Sequence, residues 1–165
     1  MTRTIALVSA LLAVIAVAFA AVMFVVIRNA PDVPPTVSAF ADGRAVEVAP
    51  FRYCPVSAPL CDYDGETATV PVRPGHPLQL SLPTAISEAP WGLATVYQGD
   101  DGDVVENDAF FLPDQRNSMT VPAVDPDGRA LIGVEVRLPS GVIDTDTNQE
   151  EIVSHAIWSI ATAAG

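Results

Sequence analysis

The sequence contains no lysine, and its eight basic residues are all arginine. That absence removes a Schiff-base amine and a Ser-Lys dyad from the available chemistry. Histidine is nearly as scarce, with only His76 and His155, so a Ser-His-Asp triad has two possible bases. His76 sits in the proline-rich turn "RPGHP" (73–77). His155 lies near Trp158 in an apolar run, which reads as a packed or surface strand position. No strand-Ser-helix elbow presents a nucleophile, and no glycine-rich loop could cradle a phosphate. Carboxylate pairs are the one device whose spacing a sequence does not display. The reading is a non-enzymatic protein with no cofactor and no metal centre.

Positive charge is also missing from most of the chain. All 20 acidic residues lie beyond residue 31, and six arginines follow residue 29, for a net charge of −14 there. Such a surface repels phosphate backbones, so nucleic acid is excluded as a partner. It also disfavours lying flat on anionic lipid.

Cysteine occurs twice, in "RYCPVSAPLCD" (52–62). None lies near the N-terminus, which excludes a lipoprotein anchor. Cys54 and Cys61 do not form the Cys-x-x-Cys pattern of a redox centre. A zinc site would need two further ligands, and only the two histidines could supply them.

What is present begins with a long uncharged run. Residues 5–27, "IALVSALLAVIAVAFAAVMFVVI", are free of charge and as a helix would span roughly 34 Å, enough for a bilayer core of about 30 Å. "AFA" (18–20) imitates a signal-peptidase motif, but the apolar run continues through Ile27, longer than a usual signal core. An uncleaved signal anchor is expected over residues 1–28, inserted through 5–27. Arg3 and the N-terminal amine before the run keep that end cytoplasmic and send the acidic remainder across. Outside the cytoplasm a Cys54–Cys61 disulfide is the default. Pro55 and Pro59 favour the bend it needs, and so small a ring contributes about 2 kcal/mol.

A proline-rich spacer, "NAPDVPP" (29–35), leads into a domain over 36–165. There, short strand-like runs alternate with turn signals: 36–41, 45–50, 67–72, 78–83, 91–98, 118–123 and 130–139. The last segment, 151–162, has a possible capping box in Thr147 and Glu150, but its β-branched and aromatic residues favour a strand. No internal repeat is visible. Seven or more strands at spacings near ten residues predict an all-β fold, an immunoglobulin-like β-sandwich preceded by one transmembrane helix. In that plan Trp91 is a core residue, and the cysteines lie too close together to be the usual inter-sheet bridge.

Three surface features carry possible chemistry. Asp144, Asp146 and Asn148 alternate as in a calcium loop, but Gln149 and His155 stand where that loop needs glycine and glutamate. The stretch reads as a solvated loop with at most weak cation affinity. "GDDGD" (99–103) reads as a hairpin turn. Arg52 and Tyr53, beside the cysteine loop, could form an interaction patch, since both residue types are common at binding hot spots. The alternative is an edge-strand arginine paired with a nearby acid.

The chain resembles an uncharacterised family of actinobacterial membrane-anchored envelope proteins, known only as a domain of unknown function. The likeness rests on the anchor, "RYC" (52–54) with the second cysteine, "PLQLSLP" (77–83), "APWGLATVYQ" (89–98), "FFLP" (110–113), "LIGVEV" (131–136) and "AIWSI" (156–160). It implies an extracytoplasmic, membrane-attached setting and adds no site residue. The expected function is an interaction module or accessory subunit of an envelope or membrane-protein complex, with a protein partner there. The competing expectation is a module that binds an envelope lipid, glycan, small molecule or divalent cation.

Overall fold

The computed structural model describes residues 2–29, 33–143 and 149–162, with side chains from Leu12 onward. The chain divides into two compact units, Met1–Val33 and Pro34–Gly165.

The first unit is a single helix, α1 (Thr2–Arg28). Every residue from Leu12 to its end is exposed. Arg28 occupies the last turn, where a cation complements the helix dipole, and its guanidinium lies over the Phe24 ring at 5.7 Å. Among the described residues, no helix is long and apolar enough to cross a membrane. From Leu12 to Arg28 the helix reaches only about 25 Å. The expected span over 5–27 includes residues 5–11, whose side chains lie outside the description.

The second unit is a two-sheet, all-β sandwich. The first sheet has the order β2 (Arg44–Val48), β1 (Val37–Ala41), β5 (Leu78–Ser81), β8 (Ser118–Val121). In the second, β3 (Arg52–Tyr53), β10 (Glu150–Ala161), β9 (Ala130–Ile143), β6 (Trp91–Gln98) and β7 (Val104–Phe111) follow one another, and β4 (Ala68–Thr69) pairs in parallel with β10. A short helix, α2 (Thr84–Ser87), joins β5 to β6.

Alternation builds this core. Leu78 and Leu80 are buried while Gln79 and Ser81 are exposed, because successive side chains point to opposite faces. Trp91, Leu93, Val134, Val136, Trp158 and Ile160 from the second sheet pack with Val37, Ala39, Leu78 and Leu80 from the first in one cluster. Trp91 is fully buried and stacks on Phe111 with ring centroids 4.3 Å apart. The first hairpin turns on Asp42 and Gly43, both at positive φ, the conformation that a two-residue turn between twisted strands demands.

The structure departs from the sequence reading in three places. Residues 104–111, "VVENDAFF", form the edge strand β7, although their acids hide any apolar period. Residues 84–87 form α2, with its N-terminus at Pro83. The run at 67–72 shrinks to the two-residue β4. The C-terminal segment is the strand that its β-branched and aromatic residues favour, β10.

Candidate interaction surface

β10 would be an open sheet edge were it not covered twice. β3 pairs with Ala156 and Ile157, and β4 pairs with Ile160 and Ala161. Covering an edge in short pieces blocks strand addition by other chains. The chain between the two pieces leaves the sheet, and this excursion carries the cysteines. Cys54 and Cys61 are joined in a disulfide with Cα atoms 5.7 Å apart.

The loop is fastened at several points. The register between β9 and β10 shifts between Ser154 and Ala156, so His155 is the extra residue of a β-bulge, which re-aims its backbone and side chain. The Cys54 N–H donates to the His155 carbonyl at 2.8 Å. The His155 Nδ1–H returns a bond to the Cys54 carbonyl at 2.9 Å. The Ser140 hydroxyl donates to the Val56 carbonyl at 3.4 Å. Gly65 packs so closely on the Phe51 carbonyl that a Cβ there would collide with it.

On this fixed frame the loop exposes apolar groups. Phe51, Tyr53 and Tyr63 are about one-third exposed, and Val56 and Leu60 are 65% and 70% exposed. The hairpin that holds Ser140 adds more. β9 and β10 remain paired out to Ile143 and Glu150, well past Arg137, where pairing with β6 stops. The projecting ribbon carries Ile143 at 63% and Ile152 at 81% exposure. By alternation Ile143 and Ile152 share the Arg137 face of the ribbon, whereas the loop meets the ribbon on the Ser140 face, so the exposed apolar groups of the constrained loop themselves mark the candidate interaction site.

Arg52 and Tyr53 take different roles within it. Tyr53 turns toward the core and meets Trp158 edge-on at 6.2 Å, so it half-covers a buried indole. Arg52 lies opposite Ile157 and makes no ion pair among the described residues. Asp144, Asp146 and Asn148 lie outside the described residues, and among the described residues no cluster of three or more metal-type ligands occurs.

The other charges are mostly spent on turns. Arg129 bonds Asp125 at 2.8 Å and Asp127 at 2.7 Å and lies 3.7 Å from Asp103, tying the 99–103 turn to the 125–128 turn. Desolvation opposes ionisation of Asp125, but hydrogen bonds from the Arg129 backbone and guanidinium prevail and hold its carboxyl below the usual range. Those same acids raise Arg129. Asp42 is likewise lowered, chiefly by its hydrogen bond from Arg73, with His76 4.0 Å away. His76 closes a turn through its N–H to the Arg73 carbonyl. These clamps join residues distant in sequence and are not legible there, except that the Asp-x-Asp-x-Arg spacing at 125–129 signals one of them.

Residues 30–163 match the family described as "Protein of unknown function (DUF2771)". The chain belongs to that family. DUF2771 relatives include an uncharacterised protein of Mycobacterium tuberculosis (strain H37Rv) and another of Mycobacterium bovis. Each is 34% identical over 151 residues, covering 91% of this chain and 91% of the relative. That stretch is longer than the family region, so the relatives also match part of the N-terminal segment. No solved structure matches the chain.

Proposed function

We propose that this DUF2771 protein is a non-enzymatic interaction module, held at the cell membrane by its N-terminal helix with the β-sandwich on the extracytoplasmic side. The observation that carries the reading is the disulfide-pinned loop with its exposed Val56 and Leu60, fastened to the ribbon through Ser140. A protein partner in the envelope or membrane would cover these apolar groups, and Arg52, two residues before Cys54 and without an ion pair among the described residues, offers a guanidinium as a hot-spot donor.

Anchoring is supported by the uncharged run 5–27, by the exposure of α1 from Leu12 to Arg28, and by relatives that share part of this segment. A disulfide suits an oxidising compartment, in keeping with an extracytoplasmic domain. An immunoglobulin-like assignment fits the strand order. β10-β9-β6-β7 follows the G-F-C-C′ order of that plan and β1-β5-β8 the A-B-E order, with buried Trp91 opening the strand where such folds keep a tryptophan.

The test is purification of tagged full-length protein from its native membranes in mild detergent, with a Val56→Asp/Leu60→Asp variant and an Arg52→Ala variant alongside. The expected result is a stoichiometric partner that the double variant loses and the Arg52 variant retains less well. Purification of the wild type alone, or a partner indifferent to all three substitutions, refutes the interaction reading. Release of the protein by high-salt washing without detergent refutes the anchor.

A further inference from the structure

The outer face of the first sheet differs from the rest of the surface. Ser38, Ser81 and Ser118 lie in register across β1, β5 and β8 as one row, and Phe40, Gln79 and Thr120 form the next. Alternation places these six on one side, because Ala39 and Leu80 between them are buried and Met119 packs against the core. A merely solvated face on a chain with 20 acids should carry several of them. Within the four strands of this sheet Glu47 is the one acid; it lies opposite Ser38 and accepts a bond from the Thr36 hydroxyl at 2.9 Å. The outer face of the second sheet, by contrast, holds Glu106, Asp108 and Glu135 around Arg137.

A groove of about 560 Å³ runs over the two rows, and Arg116 lines it. That volume lies within the range of small-molecule sites. Arg116 makes no ion pair among the described residues. In a chain this acidic, an arginine with no ion pair among the described residues, beside a neutral face, is an available anion contact.

We propose that this groove binds an oligosaccharide bearing a carboxylate. Serine and threonine hydroxyls and the Gln79 amide both donate and accept, as the vicinal hydroxyls of a sugar require. Phe40, 43% exposed, presents an apolar surface for the C–H face of a pyranose ring. Arg116 takes the carboxylate through paired N–H donors. A lipid would want a deep apolar lining, and here Phe40 is the one apolar lining residue whose side chain faces outward, since Leu80 and Met119 turn theirs to the core. The site is independent of the interaction surface, which is built on β3, β9 and β10.

Full-length protein in detergent micelles is titrated calorimetrically with trigalacturonate and, separately, with neutral cellotriose. Trigalacturonate is expected to bind with a Kd of about 1 mM or tighter and cellotriose about tenfold more weakly. Arg116→Ala abolishes that preference, and Phe40→Ala weakens both ligands about tenfold. Both side chains are exposed, so unchanged thermal melts establish that the variants remain folded. Amide shifts on binding map to Ser38, Gln79, Ser81 and Thr120. The proposal is overturned if neither sugar binds more tightly than about 10 mM, if cellotriose binds as well as trigalacturonate, if Arg116→Ala keeps the preference, or if the shifts map elsewhere.

Discussion

Trp158 on β10 donates its indole N–H to the Pro35 carbonyl at 2.8 Å, joining positions 123 residues apart. The other tryptophan, Trp91, is equally buried, yet its N–H has no acceptor among the described residues. Replacing either by phenylalanine removes similar volume, but only Trp158→Phe breaks a bond and strands a carbonyl. Trp158→Phe should therefore lose about 1–2 kcal/mol more stability than Trp91→Phe. Urea unfolding of the two variants measures the difference, and equal losses would mean that the Pro35 bond contributes nothing net.

The disulfide closes a small ring, so its loss should be modest overall and severe locally. Cys54→Ser/Cys61→Ser is expected to lower stability by about 2 kcal/mol. The loop should then become a preferred site of proteolysis, because the bonds from His155 and Ser140 alone must hold it. Gly65→Ala, which pushes against the Phe51 carbonyl, should open the same loop with the disulfide intact. If the cysteine variant resists limited proteolysis as well as the wild type does, the ring is not what shapes this surface.

The strands that could be read in the sequence are those with one buried face. "WGLATVYQ" (91–98) becomes β6 without adjustment, and "ALIGVEVRLP" (130–139) becomes β9 with four residues added at its end. Those four belong to the projecting ribbon, whose length depends on pairing with β10 and not on any core. β7 escaped notice because only Phe111 of its eight residues is buried. Its conformation is imposed by β6. The cysteine pairing was legible because both partners are local. The setting of Arg52 was not, because it depends on register with Ile157, about a hundred positions away. The serine rows were equally hidden, since three separate strands contribute one residue each.

Arg137 shows why the centre of β6 is small. In register it sits beside Gly92, yet its guanidinium reaches Glu106 at 3.1 Å and Asp108 at 3.4 Å on β7, as well as Glu135 at 2.8 Å. The side chain must therefore cross β6, and outward-facing Ala94, only 1% exposed, lies beneath that crossing. Arg137→Ala should cost only about 1 kcal/mol, because the cluster is partly solvated. The variant should regain stability in high salt as repulsion among the three acids is screened. Ala94→Leu should produce a comparable loss by displacing the arginine. A salt response identical to that of the wild type would remove this account of the cluster.

Asp125 contributes to the acid sensitivity of the fold. Its side chain is only 8% exposed, and its folded pKa lies below the ordinary 3.8, so the native state keeps its carboxylate charged longer than the unfolded chain does. That contribution is complete above the unfolded value and is lost as pH falls through the folded one. Asp125→Asn should therefore be less stable than the wild type at neutral pH, with the gap narrowing steadily below about pH 4. Tyr97 behaves in the opposite sense. Burial, and then the charge of Asp125, raise its phenol, and its hydroxyl donates to the Pro122 carbonyl at 3.0 Å. The native state favours the neutral phenol, so stability is present below the unfolded value and declines as pH rises above about 10. Tyr97→Phe should flatten that alkaline decline. Chemical-denaturation midpoints from acid to alkaline pH test both residues, and a gap for Asp125→Asn that stays constant through acid would show that Arg129 does not hold its carboxylate.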